Sequence, residues 1–484
     1  MTKAHQPCFI RHPLPEQPRR AHVIGVAGAA MGTFAMMLQD QGLEVRGSDQ
    51  NVFPPMSDLL DARGIRWSDG FDAANLSWGP DWVIIGNVCR RDNPEAVAAI
   101  EAGLPYCSFP QALSDLFLAP RRPVVITGTH GKTTTTTLSA WILHEAGLDP
   151  SYLAGGRSEN FEAPYRLGAA GAPVVIEGDE YDTAFFDKGP KFLHYRPEIA
   201  VINNIEFDHA DIYDDIEEIE ENFERLVALI KPSGLLLVNG DDPRACRLAE
   251  RCAGEVQRYG FSEGCAWRAV DIAAEGSGSR FTLIDPKGDR HTLRSALPGR
   301  HNVGNTLAAL ALADRLGVRP AAAAPALMSF RGVDKRQQAL GEAAGIELID
   351  DYAQHPTAVR ETLAALRLRS PERRIIAVYE PKSNTARRAV HQQDYLDAFA
   401  EAAEVVFARP FRKRDDFPPE ERLDLPRLVR ELGERGISAA VAAEVDELIP
   451  LLLERLRPGD LLIFLCASNL EGAPERLLAA LESR

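Results

Sequence analysis

The chain has 484 residues, of which 45% are hydrophobic and 26% charged, a composition typical of globular proteins. Its formal net charge is −16, because 70 acidic residues exceed 54 lysines and arginines, and this argues against a protein that coats nucleic acid. No apolar run approaches the roughly 18 residues of a membrane span. From the charge and the lack of a long apolar run, we expect neither a nucleic-acid nor a membrane partner. The seven cysteines are scattered and include no Cys-x-x-Cys, so we expect reduced thiols in a cytoplasmic protein.

The first structured unit is predicted to be Rossmann-like. Residues 1–20 contain several prolines and arginines but no apolar stretch, so we expect a flexible leader. An apolar strand then turns through Gly28 and Gly32 into a helical segment, and the next strand ends at Asp49. The interval from Gly28 to Asp49 is close to the roughly 20 residues of a dinucleotide-type fold, and a further strand ends beside Asn87. Glycines that serve only the turn explain the same pattern.

The most informative stretch joins an apolar strand, a glycine-bracketed turn and a helix-like segment. Gly128 and Gly131 bracket the turn, and Lys132 and Thr133 follow it. In such a loop the backbone N–H groups point at phosphate oxygens, the lysine reaches the β- and γ-phosphates, and the threonine hydroxyl ligates Mg²⁺. The generic pattern has an earlier glycine where this chain has Ile126. A turn used for local geometry alone leaves the lysine and the threonine run unexplained.

Two later strands end in candidate metal ligands. One ends at Glu177, which opens an acidic run, and the next leads into a segment that contains His209 and Asp211. Loops at the carboxyl ends of parallel strands converge on one crevice. A metal on ATP phosphates needs only one or two protein oxygens, since water and phosphate complete its shell. Histidine is an unusual Mg²⁺ ligand, so His209 fits equally well a loop histidine held by neighbouring acids.

Polar residues also open a later helix and follow the next linker. His301 or Asn302 fits a helix cap, and Asn302 and Asn305 share a helix face, so a nucleotide contact is possible but not required. Arg336 is suited to stabilise a transferring phosphate. Asp351 is suited to hold a ribose or a closed domain pair, and surface ion pairing is the alternative for both residues.

Alternation of strands and helices predicts an α/β protein of three domains with mostly parallel sheets. We expect a Rossmann-like N-terminal domain at 21–120, a central P-loop ATPase domain at 121–333 and a Rossmann-like C-terminal domain at 334–484. Residues 255–298 alternate polar and apolar side chains, which predicts an antiparallel patch.

Together these motifs resemble the Mur ligase family, in order and over nearly the whole chain. The segments that carry the resemblance are Gly-Thr-His-Gly-Lys-Thr-Thr (128–134), Glu-Gly-Asp-Glu-Tyr-Asp (177–182), Asn-Asn-Ile-Glu-Phe-Asp-His-Ala-Asp (203–211), His-Asn-Val-Gly-Asn (301–305) and Asp-Asp-Tyr-Ala-Gln-His-Pro-Thr (350–357). Within the family, segments 51–57, 184–188, 191–195 and 380–385 are similar to members that join UDP-N-acetylmuramate to the recycled tripeptide L-alanyl-γ-D-glutamyl-meso-diaminopimelate.

The resemblance implies an ATP-dependent amide ligase of peptidoglycan recycling that forms an acyl phosphate and releases ADP and phosphate. Its partners would be UDP-N-acetylmuramate, the tripeptide and ATP, and its cofactor Mg²⁺. The N-terminal domain would bind the UDP-sugar, the central domain ATP and the C-terminal domain the incoming amine. The sequence does not give an oligomeric state.

The resemblance also assigns roles residue by residue. The expected ATP-binding residues are Gly128, Thr129, His130, Gly131, Lys132, Thr133, Thr134, His301, Asn302, Asn305, Arg336 and Asp351. The expected catalytic residues are Lys132, Glu177, His209, Arg336 and Asp351, and the expected metal ligands are Thr133, Glu177 and His209. The expected UDP-sugar residues are Gly28, Met31, Gly32, Asp49 and Asn87.

Two positions and one segment depart from the family pattern, and three alternatives stay open. The segment is Ala-Ser-Asn-Leu-Glu-Gly (467–472), which replaces a more glycine-rich ending. Lys335 stands where an arginine is usual and Gln354 where a histidine is usual, which leaves details of amine recognition undetermined. The near alternative is a family member that adds L-alanine to UDP-N-acetylmuramate. The more distant ones are a P-loop kinase of small molecules and a nucleotide-switched binding protein without catalysis.

Overall fold

The structure, a computed structural model, describes residues 11–50, 52, 56–410 and 417–483. Half of the predicted leader, residues 1–10, lies outside the described residues, as does most of segment 51–55. The described chain separates into two compact units. Unit 1 comprises the residues up to 157, together with 161–205 and 217–258, and unit 2 comprises 158–160, 206–216 and the residues from 259 onward.

Unit 1 begins with a five-stranded sheet in the order β3-β2-β1-β4-β5, and all its strand pairs are parallel. Its elements are β1 (Arg20–Ile24), α1 (Ala29–Asp40), β2 (Glu44–Asp49), α2 (Met56–Ala62), β3 (Arg66–Asp69), β4 (Trp82–Ile85), α3 (Pro94–Glu101), β5 (Tyr106–Ser108) and α4 (Phe109–Leu113). Every residue of β4 is buried, as expected for a central parallel strand covered on both faces. The carboxyl ends of β1, β2 and β4 therefore share one edge.

The second sheet of unit 1 contains the phosphate-loop strand and runs in the order β13-β12-β6-β9-β7-β8. Its elements are β6 (Arg122–Thr127), α5 (Lys132–Glu145), β7 (Ser151–Leu153), β8 (Tyr165–Arg166), β9 (Pro173–Gly178), β10 (Asp182–Ala184), β11 (Asp187–Pro190), β12 (Ile199–Ile202), α6 (Ile216–Ala228), β13 (Leu235–Asn239) and α7 (Pro243–Ala249). Only the β7–β8 pair of this order is antiparallel, and β10 and β11 form a separate antiparallel hairpin. Strand β6 lies between β12 and β9, so the loops after these three strands meet.

Unit 2 contains the predicted antiparallel patch and the helix that follows it. The boundary between the units falls within β14 (Glu255–Gly260), and the elements that follow in unit 2 are β15 (Trp267–Glu275), β16 (Gly278–Ile284), β17 (Arg290–Ser295), α8 (Arg300–Arg315) and α9 (Pro320–Ser329). The pairs β15–β16 and β16–β17 are antiparallel, as the alternating side chains predicted. Strand β14, at the start of the predicted patch, instead pairs parallel with β15, so the prediction was wrong for residues 255–260.

The last sheet of unit 2 has six strands in the order β18-β19-β23-β20-β21-β22, parallel except for β18 at the edge. Its elements are β18 (Gln338–Ala343), β19 (Ile346–Asp351), α10 (Pro356–Arg369), β20 (Ile375–Tyr379), α11 (Asp394–Ala398), β21 (Glu404–Ala408), α12 (Leu425–Glu434), β22 (Ser438–Ala442), α13 (Val445–Arg455), β23 (Leu461–Leu465) and α14 (Ala473–Glu482). Separate apolar cores cover its two faces.

These sheets confirm the predicted α/β class with mostly parallel strands. The residue boundaries predicted for the leader and for the three domains stay predictions. In the described part of the chain, no helix is both long and apolar enough to span a bilayer.

Close packing at the end of β9 gives a stability prediction. A Cβ at Gly178 would lie 2.5 Å from Val125 Cγ1 and 2.7 Å from Thr127 Cγ2 on the neighbouring strand. We expect Gly178→Ala to lower the free energy of unfolding in urea by about 1–3 kcal/mol because of overpacking. Gly433→Ala is the control: no atom lies within 4 Å of the added Cβ, so the change should be neutral or stabilising. Equal effects of the two changes would contradict the account.

Candidate functional site

The phosphate loop between β6 and α5 has a backbone that requires glycine. Gly128 and Gly131 have φ values of 122° and 81°, in the left-handed region that favours this residue. A Cβ on Gly128 would lie 2.9 Å from both the backbone N and O of Asn204. Thr129 N donates to Asn204 O (3.1 Å), and His130 N donates to Asn204 Oδ1 (2.8 Å). The loop after β12 therefore holds the phosphate loop in position.

Lys132, the first residue of α5, forms an ion pair with Glu180. Its Nζ donates to Glu180 Oε2 (2.9 Å) and Oε1 (3.2 Å), and to Gly128 O (2.6 Å). The Lys132 side chain is 13% exposed and that of Glu180 is 3% exposed. Burial opposes the charge on Lys132, but the carboxylates of Glu180, Asp179 and Glu177 outweigh it and raise the pKa of Lys132. Lys132 is therefore a cation at neutral pH, held at the mouth of the loop.

The donor set beside Lys132 suits a hard divalent cation. Thr133 Oγ1 donates to Glu177 Oε2 (3.1 Å), and Gly155 N donates to Glu177 Oε1 (2.6 Å). A hydroxyl and a carboxylate are oxygen donors of the kind that Mg²⁺ prefers, so these residues fit the metal that the family resemblance implies. The structure thus brings Lys132, Thr133 and Glu177 together in unit 1.

A second lysine–carboxylate pair extends this cluster. Lys191 Nζ donates to Asp179 Oδ2 (3.0 Å) and lies 4.0 Å from the centre of the Tyr181 ring. Burial alone would raise the pKa of Asp179, but Lys191 and Lys132 outweigh it and lower that pKa. Sequence reasoning did not assign Glu180 or Lys191 to the site. The only signal for Glu180 was its place in the acidic run after β9.

In unit 2, Gln337 connects two of the predicted nucleotide residues, and a third lies beside them. Gln337 Nε2 donates to His301 Nε2 (3.1 Å), and Gln337 N donates to Asp351 Oδ2 (2.8 Å). Arg336 lies beside Asp351, and its guanidinium is 4.7 Å from the centre of the Tyr352 ring. Burial lowers the pKa of His301 to about 4, so this imidazole is neutral at neutral pH. Gln337 was not predicted, because its role depends on contacts between distant segments.

The start of α8 brings the two predicted asparagines together. Asn305 Nδ2 donates to Asn302 Oδ1 (3.1 Å), and Asn302 Nδ2 donates to Pro298 O (2.8 Å). Gly299 occupies the N-cap with φ 95°. The capping role considered for His301 and Asn302 therefore belongs to neither residue.

His209 lies in the segment of unit 2 that follows β12. It has a left-handed backbone (φ 56°), its N–H donates to Asp208 Oδ1 (2.7 Å), and its carbonyl accepts from Ile212 N (2.8 Å) and Tyr213 N (3.0 Å). Burial would raise the pKa of Asp208, but His209 and His355 outweigh it and hold that pKa at about 2. The predicted ligands Thr133 and Glu177 belong to unit 1 and His209 belongs to unit 2.

Both single-residue departures from the family pattern are accommodated by contacts within unit 2. The ammonium of Lys335 lies beside Ser468 O, 3.5 Å from Cys466 O and 3.4 Å from Asp350 Oδ2. Ser468 Oγ in turn donates to Glu380 Oε2 (2.6 Å). Lys335 therefore joins β18 and β19 to the loop after β23.

The amide of Gln354 holds the loop after β20. Gln354 Oε1 accepts from Lys382 N (2.9 Å) and Ser383 N (3.2 Å), while Nε2 donates to Ala353 O (3.2 Å) and Leu465 O (3.4 Å). Two accepted and two donated bonds satisfy this buried amide fully. Gln354 thereby shapes the segment on which the expected preference for a tripeptide depends.

The predicted UDP-sugar residues lie at the shared carboxyl edge of β1, β2 and β4: Gly28, Met31, Gly32, Asp49 and Asn87. Asp49 Oδ2 accepts from Ala27 N (2.9 Å), so this carboxylate orders the glycine turn. A Cβ on Gly32 would lie 2.8 Å from Val26 O, which explains the glycine there by close packing. Asn87 is exposed at the edge.

Three family models match successive parts of the chain. They are described as "Mur ligase family, catalytic domain" for residues 20–121, "Mur ligase middle domain" for 126–313 and "Mur ligase, glutamate ligase domain" for 335–468. Together they cover most of the chain and include the phosphate loop, the predicted nucleotide residues of unit 2 and the glycine turn after β1.

Full-length relatives and a solved structure are also similar. The Escherichia coli K12 UDP-N-acetylmuramate–L-alanyl-γ-D-glutamyl-meso-2,6-diaminoheptandioate ligase is 38% identical over 468 residues, which span 96% of this chain and 99% of the relative. The UDP-N-acetylmuramate–L-alanine ligase of Roseiflexus sp. RS-1 is 36% identical, over 93% of this chain and 96% of the relative. The crystal structure of a murein peptide ligase from Psychrobacter arcticus 273-4 superposes with a TM-score of 0.72 at 32% identity, covering 96% of this chain and 99% of that one.

The buried acid next to Asp351 gives a pH prediction. Burial, opposed by Lys335, raises the pKa of Asp350 from 3.8 to about 6. The unfolded chain therefore loses this proton first, and the folded protein loses stability as the pH rises from about 4 to 6. We expect Asp350→Asn to gain about 1 kcal/mol in unfolding free energy, relative to wild type, between pH 5 and pH 7. The measurement is urea denaturation at both pH values, with Asp289→Asn at an exposed position as the control. A difference between Asp350→Asn and wild type that does not change with pH would contradict this.

Proposed function

The chain belongs to the Mur ligase family, and from that premise we propose that it joins UDP-N-acetylmuramate to the tripeptide L-alanyl-γ-D-glutamyl-meso-diaminopimelate at the expense of ATP. The observation that carries the proposal is the phosphate loop, in which a buried Lys132–Glu180 pair and a Thr133–Glu177 pair lie side by side. The tripeptide is part of the names of two relatives that are 38% and 36% identical over 96% of this chain. The proposed place of action is the cytoplasm.

The chemistry explains why a nucleotide site is needed. A carboxylate is a poor electrophile at neutral pH, so the lactyl carboxylate of UDP-N-acetylmuramate attacks the γ-phosphorus and ADP leaves. The tripeptide's α-amine then attacks the acyl carbon, and the tetrahedral intermediate collapses to the amide and phosphate while the amine gives up its proton. Lys132 offsets negative charge at the transferred group, a step that depends mainly on position and electrostatics.

Mg²⁺ is part of the proposal, with Thr133, Glu177 and His209 as its ligands. When bound, the cation neutralises phosphate charge. His301, Asn302, Asn305, Arg336 and Asp351 are the proposed nucleotide residues of unit 2. In that group the neutral His301 and the Gln337 amide offer hydrogen bonds without adding charge, while Arg336 supplies a cation. The residues at the carboxyl edge of β1, β2 and β4 are the proposed UDP-sugar contacts.

The choice of amine is supported by the loop after β20. Its Glu-Pro-Lys-Ser-Asn-Thr sequence (380–385) resembles that of the tripeptide-adding members. Gln354 Oε1 fixes the backbone of this loop by accepting from two of its N–H groups. Relatives named for L-alanine addition are almost as similar overall, at 35–36% identity. Whole-chain identity therefore distinguishes the two activities less well than a measurement of turnover with each amine.

The test is release of phosphate by the purified protein. We expect release only when UDP-N-acetylmuramate and tripeptide are both present, and Lys132→Met should lower kcat/KM at least about 100-fold through loss of a charge preorganised at the phosphoryl group. Lys231→Met, at an exposed lysine of the same unit, should match wild type. Faster turnover with L-alanine than with tripeptide would overturn the tripeptide assignment, and a stable phosphorylated product without amide would overturn the ligase assignment.

A further inference from the structure

Residues 206–211, which we call the histidine segment, belong to unit 2, although the chain on both sides of 206–216 belongs to unit 1. The segment carries His209 and follows β12 without regular secondary structure. Because no helix or strand holds it, its conformation depends on side chains from elsewhere in unit 2. Those side chains come from the loops that follow β19 and β20.

Two imidazoles hold the segment just before His209. Phe207 O accepts from His355 Nε2 (3.2 Å) and from His391 Nε2 (3.1 Å), and the two rings lie 4.5 Å apart. His391 is oriented by Asp394, whose Oδ2 is 2.8 Å from its Nδ1. Both lone pairs of one carbonyl are thus used, and the peptide before Asp208 has a defined direction.

The Thr385 hydroxyl bonds the backbone of the residue that follows His209. Thr385 Oγ1 accepts from Ala210 N (3.1 Å), and the Thr385 hydroxyl is among the groups that lower the pKa of Asp208. Thr385 is 3% exposed, so water does not readily replace its bond with Ala210 N.

His209 lies between these two contacts in a backbone conformation that side chains disfavour. A non-glycine residue in the left-handed region is strained and persists only where its surroundings enforce that conformation. The Asp208 carboxylate accepts from His209 N (2.7 Å). His209 is therefore held on one side by the Asp208 carboxylate, which accepts from its N–H, and on the other side by Thr385, which accepts from Ala210 N.

We propose that Thr385 is a positioning residue that orients His209 for divalent-cation binding. The inference rests on the proposed function only in taking His209 as a metal ligand. A partner behind a metal ligand typically changes metal affinity or activity about 10–100-fold when it is removed. Thr385 lies in the loop after β20, so one loop both resembles the tripeptide-adding members and holds the metal-ligand segment.

The experiment titrates the full chain with Mn²⁺ at saturating ADP and follows protein-bound Mn²⁺ by electron paramagnetic resonance. We expect Thr385→Val, which keeps the shape but removes the hydroxyl, to weaken Mn²⁺ binding about 10-fold. Thr385→Ser retains the hydroxyl and should stay within about threefold of wild type. His209→Ala should weaken binding at least as much as Thr385→Val.

Ser279→Ala controls for the loss of a buried hydroxyl elsewhere in unit 2, where Ser279 Oγ donates to Leu297 O (3.0 Å). It should bind Mn²⁺ like wild type. Wild-type affinity in Thr385→Val, or an equal loss in Ser279→Ala, would overturn the proposal, and so would unchanged affinity in His209→Ala. The titration contains neither UDP-sugar nor peptide, so a failure of the tripeptide assignment would leave its result unaffected.

Discussion

A lysine and a glutamate that are almost excluded from water sit at the centre of the phosphate loop. Removing two charges from water is costly, and the cost is recovered only where the pair has good geometry and further hydrogen bonds. Lys132 meets this condition, because Glu180 and Gly128 O together supply three acceptor contacts to its ammonium group. The remainder of the loop depends on this arrangement, since Lys132 can bond Gly128 O only while the glycine backbone keeps its left-handed turn.

Pairing of lysines with carboxylates continues along the edge of the sheet. Strands β6, β9 and β12 are parallel neighbours, so the turn, the acidic run and the asparagine loop emerge side by side. Cations and carboxylates alternate there: Lys132 forms an ion pair with Glu180, and Lys191 forms one with Asp179. This pairing allows several ionised groups to share a buried site. A phosphate chain brings additional negative charge to such a site, and a divalent cation held by oxygen donors offsets it.

Sequence patterns predicted the sheets well because buried parallel strands are continuous apolar runs, as β4 and β12 are. They also predicted the phosphate loop, because its left-handed backbone requires glycine at positions that the sequence shows directly. They did not single out Glu180, because Glu177, Asp179 and Glu180 are equivalent by spacing and only the fold decides which one meets Lys132. The roles of Gln337, Gln354 and Thr385 were also missed, since each bonds a segment distant in the chain, and no local pattern encodes such contacts.

The central claim is that ATP activates a carboxylate which an amine then captures, and isotope transfer tests this directly. UDP-N-acetylmuramate with both oxygens of its lactyl carboxylate labelled with ¹⁸O is incubated with ATP, tripeptide and the protein, and the released phosphate is analysed by mass spectrometry. The account predicts one ¹⁸O in each phosphate, with the second retained in the new amide, because the carboxylate oxygen that attacks phosphorus leaves with it. Amide formation with wholly unlabelled phosphate would contradict the acyl-phosphate mechanism.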